Sequence, residues 1–200
     1  MLYLNQLNYE DMPYPTNLDE PESDYAKNGT VRKAGCGLCS LCMVVDRLCL
    51  EALSLEECRD LSVSSGANRE PGTDMKILGP IVAEKFGLRF RVTADTSELA
   101  ECLRSGGAAI INAGGDRKGH IGTFSDIGHY VVAISESGGK FALLDPSWRP
   151  DKYTGEPRRS RVRESGSGGL LYATAEVLEQ DAANKAPGFY LFKRLSDKST

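Results

Sequence analysis

The spacing of apolar positions changes along the chain, and the changes mark elements. Behind Cys36 a dense block of Leu, Met, Val and Cys runs to Leu53, broken by few polar residues, and predicts a buried helix beginning at Cys36. Ser54 with Glu57 three residues later reads as a capping box ahead of a second helix, Leu55–Val63. Thr73 or Asp74 caps a third through Met75, Leu78, Val82 and Phe86, ending at Gly87, with Pro80 expected to kink or divide it. At Leu88 the period drops to two. Leu88, Phe90 and Val92 face one way and Arg89, Arg91 and Thr93 the other, as in a strand.

Beyond this strand a short helix, Ser97–Leu103, is closed by Gly106 and Gly107, and Ala108–Asn112 is a compact apolar strand. Gly114–Gly128, with five glycines among polar residues, is expected to be a mobile loop. His129–Ser135 is apolar almost throughout, as in a central strand covered on both faces. Ser137-Gly138-Gly139 turns it back into Lys140–Leu144, and Asp145-Pro146 ends that strand. Arg149–Gly169 reads as a long irregular loop, Ala173–Asp181 as a helix and Gly188–Arg194 as a last strand. Residues 1–33, with Pro13, Pro15 and Pro21, form an extended arm anchored by Leu2, Leu4 and Leu7. Helices first and strands later predict an α+β fold on one domain over residues 1–200.

Composition narrows the function. A chain of 200 residues that is 40% apolar and 26% charged can bury a core of its own. A net charge of −4 offers no electrostatic reason to expect a nucleic-acid partner, and the run Arg158, Arg159, Arg161, Arg163 reads as a solvated loop. No apolar stretch approaches the roughly 20 residues a membrane-spanning helix needs. Met1–Glu10 lacks the basic flank and apolar core of an export signal, so the expectation is a cytoplasmic protein, or a secreted one if a leader has been removed. Five of the six cysteines lie between Cys36 and Cys58 on one helical pattern, which predicts reduced thiols and not a disulfide framework.

Gly35-Cys36-Gly37 places a thiol at the first turn of a helix, where unpaired backbone N–H groups and the positive end of the dipole favour the thiolate. A cysteine nucleophile needs an imidazole, and the chain holds only His120 and His129. His129 stands between the glycine loop and a buried strand, whereas His120 reads as a loop residue. If the hairpin turns on Ser137 and Gly138, residues whose numbers sum to about 275 face each other. Asp145 then lies near Tyr130 and beside His129, roughly 5 Å away. Cys36, His129 and Asp145 are therefore the candidate nucleophile, base and orienting group. Asn112 is a further cleft candidate, and Trp148 either lines the pocket or simply packs. The competing reading is a metal site, because Cys36, Cys39 and Cys42 are spaced like iron–sulfur ligands. On a helix, however, steps of three advance about 300° and spread the thiols around the axis, so no metal or cofactor is expected.

The ordered set Gly35-Cys36-Gly37, Gly128-His129-Tyr130-Val131-Val132 and Leu144-Asp145-Pro146 resembles the papain-like cysteine peptidases. Specifically, it resembles the branch holding the bacteriocin-processing, double-glycine-leader peptidases and their free-standing bacterial relatives. Tyr3-Leu4-Asn5-Gln6, Pro13-Tyr14 and Gly29-Thr30-Val31 look like that branch's opening segment, and Gly72-Thr73 and Phe86-Gly87-Leu88 are similar as well. The resemblance implies a papain-like fold and a thiol hydrolase whose substrate is a peptide or a small amide or acyl compound. It implies Cys36 as nucleophile, His129 as general base and acid, Asp145 as the group that orients the imidazole, and Gln6 as an oxyanion donor beside the Cys36 N–H. Leu38-Cys39 replaces the usual Pro-Thr, and a Trp common after the Gln segment is missing. Acyl transfer on the same fold, or a binding protein that has lost catalysis, are the alternatives.

Overall fold

The computed structural model describes residues 1–195. The arm is less extended than expected. It contains a 3₁₀ turn at Gln6–Asn8 and two short helices, α1 (Asp24–Asn28) and α2 (Val31–Ala34). Ser23 caps α1, its Oγ accepting from Ala26 N at 3.2 Å. Helices of five and four residues are too short for a 3.6-residue period to register.

Helix α3 (Cys36–Leu48) buries every residue from Gly37 to Val45, as an element apolar on all sides must. It stops at Leu48, short of Leu53. Cys49 turns extended and Leu50 is fully exposed, so the apolar block overruns the helix that it predicts. Helix α4 (Leu55–Ser65) starts as read, with Ser54 Oγ accepting from Glu57 N at 3.1 Å, and ends at Gly66 with φ +74°. Helix α5 (Met75–Lys85) runs through Pro80 undivided. The ring removes one bond to the Lys76 carbonyl, and both residues lie on the exposed face where water replaces it.

The remaining elements are β1 (Leu88–Thr93), α6 (Thr96–Arg104), β2 (Ala108–Ala113), β3 (His129–Ser137), β4 (Lys140–Leu144), α7 (Arg158–Arg161), β5 (Arg163–Glu164), β6 (Leu170–Thr174), α8 (Ala175–Ala182) and β7 (Phe189–Arg194). The strands form one antiparallel sheet in the order β1-β7-β2-β3-β4-β6-β5. Ile110, Val132, Ile134 and Leu144 pack with α3, α4 and α5 on one face, while Ile111, Val131, Ala133 and Leu143 pack with α6 and α8 on the other. The result is a mixed helix and antiparallel-sheet fold. Covering both faces of the central strands is what makes them apolar throughout rather than alternating.

The β3–β4 hairpin departs from the expected register. Its turn is Gly138-Gly139, both left-handed at φ 58° and 78°, one step beyond Ser137-Gly138. Pairs near the turn, such as Ser137↔Lys140, therefore sum to 277, and a bulge at Ile134 brings Val132↔Leu144 to 276. Asp145 follows the last pair and stands across from Val131, not Tyr130.

Two other segments correct the sequence reading. Residues 170–174 are strand β6, whose Leu171 and Ala173 point inward while Tyr172 and Thr174 point out; the helix begins only at Ala175. The stretch 149–169 contains α7 and β5. The glycine-rich loop is tied down: the buried Asp181 carboxylate accepts from Thr123 N at 2.9 Å, Phe124 N at 3.2 Å and His120 Nε2 at 2.8 Å. Arg158 and Arg161, read as solvated, donate to the carbonyls of Gly122 and Ile121. Among the described residues, no helix is long and apolar enough to cross a membrane.

Candidate active site

The tip of α3 is located by what packs on it. A side chain at Gly37 would come within 2.7 Å of Thr73 Cβ, so only glycine lets the turn seat against that residue. Thr73 is itself held, its Oγ1 2.8 Å from the Tyr14 hydroxyl and its carbonyl accepting from Tyr130 OH at 3.0 Å. Cys36 is thereby fixed beside the first residues of β3. Its partly exposed thiol meets the His129 side chain and the backbone N–H groups of Tyr130 and Gly37. Burial pushes the thiol pKa up, yet the hydrogen bond and charge of His129 and those two N–H groups bring it below the ordinary thiol value.

His129 opens β3, and its Nε2 lies 2.7 Å from Asp145 Oδ1. That contact occupies one ring nitrogen and leaves Nδ1 for the thiol. Burial and the charge of Lys152 act to lower the imidazole pKa, but the charge and hydrogen bond of Asp145, with the Cys36 contact, leave it raised. The pair thus favours thiolate and imidazolium together.

Asp145 is fully buried and accepts on both oxygens. Oδ1 takes His129 Nε2 and Ser147 N (2.9 Å), and Oδ2 takes Lys152 Nζ (2.7 Å) and Tyr153 OH (2.8 Å). Burial alone would raise this carboxyl, but the charges and hydrogen bonds of Lys152 and His129 hold it well below the usual carboxylate range. The arm reinforces the segment. Tyr3 OH donates to the Asp145 carbonyl (2.7 Å), Gln6 N to the Pro146 carbonyl (2.6 Å) and Asn5 Nδ2 to the Trp148 carbonyl (2.8 Å), while Leu2 N reaches Asp46 Oδ2 on α3 (2.7 Å).

Cys36 and His129 lie in a cleft of about 720 Å³ whose walls include Thr73, Asp74, Asn112, Ile127, Tyr130 and Tyr190. Three of the four residues singled out in the sequence therefore converge. The fourth, Gln6, sits on the 3₁₀ turn outside the residues that line the cleft. Its Nε2 donates to the Arg32 carbonyl at 2.8 Å, and its Oε1 is buried without a partner among the described residues. Asn112 lines the cleft, as does Tyr190. Trp148 instead packs over Gly168 and donates to Glu164 Oε2 at 2.7 Å, and His120 serves Asp181. Cys39 and Cys42 point into the core and away from the cleft that Cys36 faces.

Sequence reasoning missed Lys152, Tyr153, Ser147 and Tyr3. Asp-Pro-Ser carries a readable signal for Ser147, since aspartate commonly accepts from the N–H two residues on. Nothing in the spacing marks Lys152, because lysine in a polar loop is ordinarily solvated.

No protein-family profile matches the sequence, and no curated protein matches it. Among solved structures, the chain is similar to a protein from Bacillus anthracis that bears the provisional name C39-like peptidase. The TM-score is 0.54 at 13% identity, over 82% of this chain and 90% of that one. The likeness is one of fold: this chain shares the architecture of a C39-like peptidase.

Proposed function

We propose that this chain is a papain-like cysteine hydrolase on a single domain, cleaving a peptide or related amide bond. The observation that carries the reading is the meeting of a thiol of lowered pKa, an imidazole and a buried carboxylate at one end of a cleft. Cys36 Sγ attacks the acyl carbon and forms the S–C bond. The His129 imidazolium then gives its proton to the departing amine as the C–N bond breaks. Water, losing a proton to the now neutral His129, adds to the thioester and releases the acid as the S–C bond breaks, which restores the Cys36 thiolate and the His129 imidazolium. Asp145 keeps the ring in register throughout. The developing oxyanion faces the helix tip and its backbone N–H groups.

Alkylation with iodoacetamide at about pH 6, read residue by residue by mass spectrometry, tests the thiol–imidazole pair. Cys36 is expected to react at least tenfold faster than the partly exposed Cys49, whose pKa burial raises, and His129→Ala is expected to erase that preference. Peptide hydrolysis should vanish in Cys36→Ala while the fold persists. Equal labelling of the two thiols, or full turnover by Cys36→Ala, refutes the assignment.

A further inference from the structure

The carboxylate that holds His129 is shared with a second cation. Lys152 has 4% of its side-chain surface exposed, and its Nζ donates to Asp145 Oδ2 at 2.7 Å and to Ser147 Oγ at 2.6 Å. That hydroxyl is in turn 3.0 Å from His129 Nε2, so the ammonium stands within about 6 Å of the ring. Lysine is almost never buried unless paired, and this one is paired to the very group that a thiol–imidazole couple relies on.

We propose that Lys152 is a positioning and charge-tuning residue: it fixes Asp145 from the side opposite His129 and opposes the positive charge His129 must carry. It thereby sets the pH at which the Cys36–His129 ion pair is lost. This inference rests on the triad reading above. One carboxylate here faces two cations, so its stabilisation of the imidazolium is partly cancelled, and the pair dissolves at lower pH than it would beside an unshared carboxylate. The charged or titratable groups facing the ring are Cys36 from α3 and Asp145 and Lys152 after β4; Lys33, Glu70, Asp74, Lys76, Tyr130 and Lys185 line the cleft. Tyr153 touches the same Asp145 oxygen as Lys152 but brings no charge, which provides an internal control.

Iodoacetate reports the state of the ring, because its own negative charge makes attack by the Cys36 thiolate fastest while the imidazolium is present. Its rate of alkylation of Cys36 is measured from pH 4 to 10 in the full chain. In Lys152→Met the falling limb at high pH is expected to move up by about one pH unit. Lys152→Arg should keep the limb in place, and Tyr153→Phe should leave it in place even if the rate changes. Coincident limbs in the Met variant and the parent overturn the proposal, as does an equal displacement in the Arg or Phe variant. If neither Lys152→Met nor Lys152→Gln folds, it is also overturned, since the ammonium would then serve the structure and not the titration. Failure of the triad reading looks different: Cys36 in the parent protein would then react no faster than Cys49.

Discussion

Replacing Asp145 by Asn keeps the shape of the side chain and removes its charge. The carboxylate accepts from His129 and Ser147 N on Oδ1 and from Lys152 and Tyr153 on Oδ2, and an ionised carboxylate can face donors on both sides. An amide has one acceptor oxygen, so whichever way it turns, its NH₂ meets donors. If the oxygen keeps His129, the buried Lys152 ammonium loses its counterion. Breaking a buried pair by removing one member costs about 3–5 kcal/mol, and urea unfolding of Asp145→Asn at pH 7 should show a loss of that size. Removing the stranded cation as well, in Asp145→Asn/Lys152→Met, should recover most of it. The pH dependence follows from the depressed carboxyl. The native state binds fewer protons than the unfolded one, so this stabilisation is fully present above the unfolded carboxylate pKa of about 3.9 and declines as pH falls below it. The gap between the parent and Asp145→Asn should therefore narrow between pH 4 and 2.5. A loss under about 1 kcal/mol at pH 7, or strictly additive costs in the double variant, refutes the shared-carboxylate account.

Two further predictions concern what surrounds the site. Asp181→Asn should loosen residues 114–128, because it removes the charge from three tethers on a carboxylate, at a cost of about 2–4 kcal/mol; amide exchange at Thr123 and Phe124 should accelerate, and unchanged protection there would contradict it. Gly37→Ala should displace the α3 tip from Thr73, contact at 2.7 Å being too close for any Cβ, and lower Cys36 alkylation along with stability by about 1–3 kcal/mol; a variant of parental melting temperature and reactivity would show that the seat is softer than described.

What could be read from the sequence was what depends on local pattern. The turn into α3, the capping of α4 by Ser54, the alternation of β1 and the apolar centre of β3 each follow from residues adjacent in the chain. The neighbourhood of His129 and Asp145 was also legible, because a hairpin is local, although the register was not: Gly138-Gly139 sets the turn one step on, and the Ile134 bulge removes a residue from the pairing. Leu50 shows why the end of α3 was misplaced, since an apolar residue outside the helix counts the same as one within it. Strand β6 escaped because five residues of period two adjoin a helix start at Ala175. Tyr3 was out of reach because its partner Asp145 lies 142 residues away, and Lys152, though only seven residues from Asp145, because nothing in a polar loop marks the lysine that folds back and is buried.

The strap from Leu2 to Gln6 clasps both helix α3 and the turn after β4, and this has a consequence in time. At about 5–20 residues per second on the ribosome, Cys36 is made on the order of ten seconds before Lys152. Through that interval the growing polypeptide carries an unactivated sulfhydryl, with its imidazole and carboxylate either unmade or unfastened. Leu2 to Gln6, made before Cys36, thus find their places only after the turn beyond β4 has been made, and the cluster of Cys36, His129 and Asp145 closes only then.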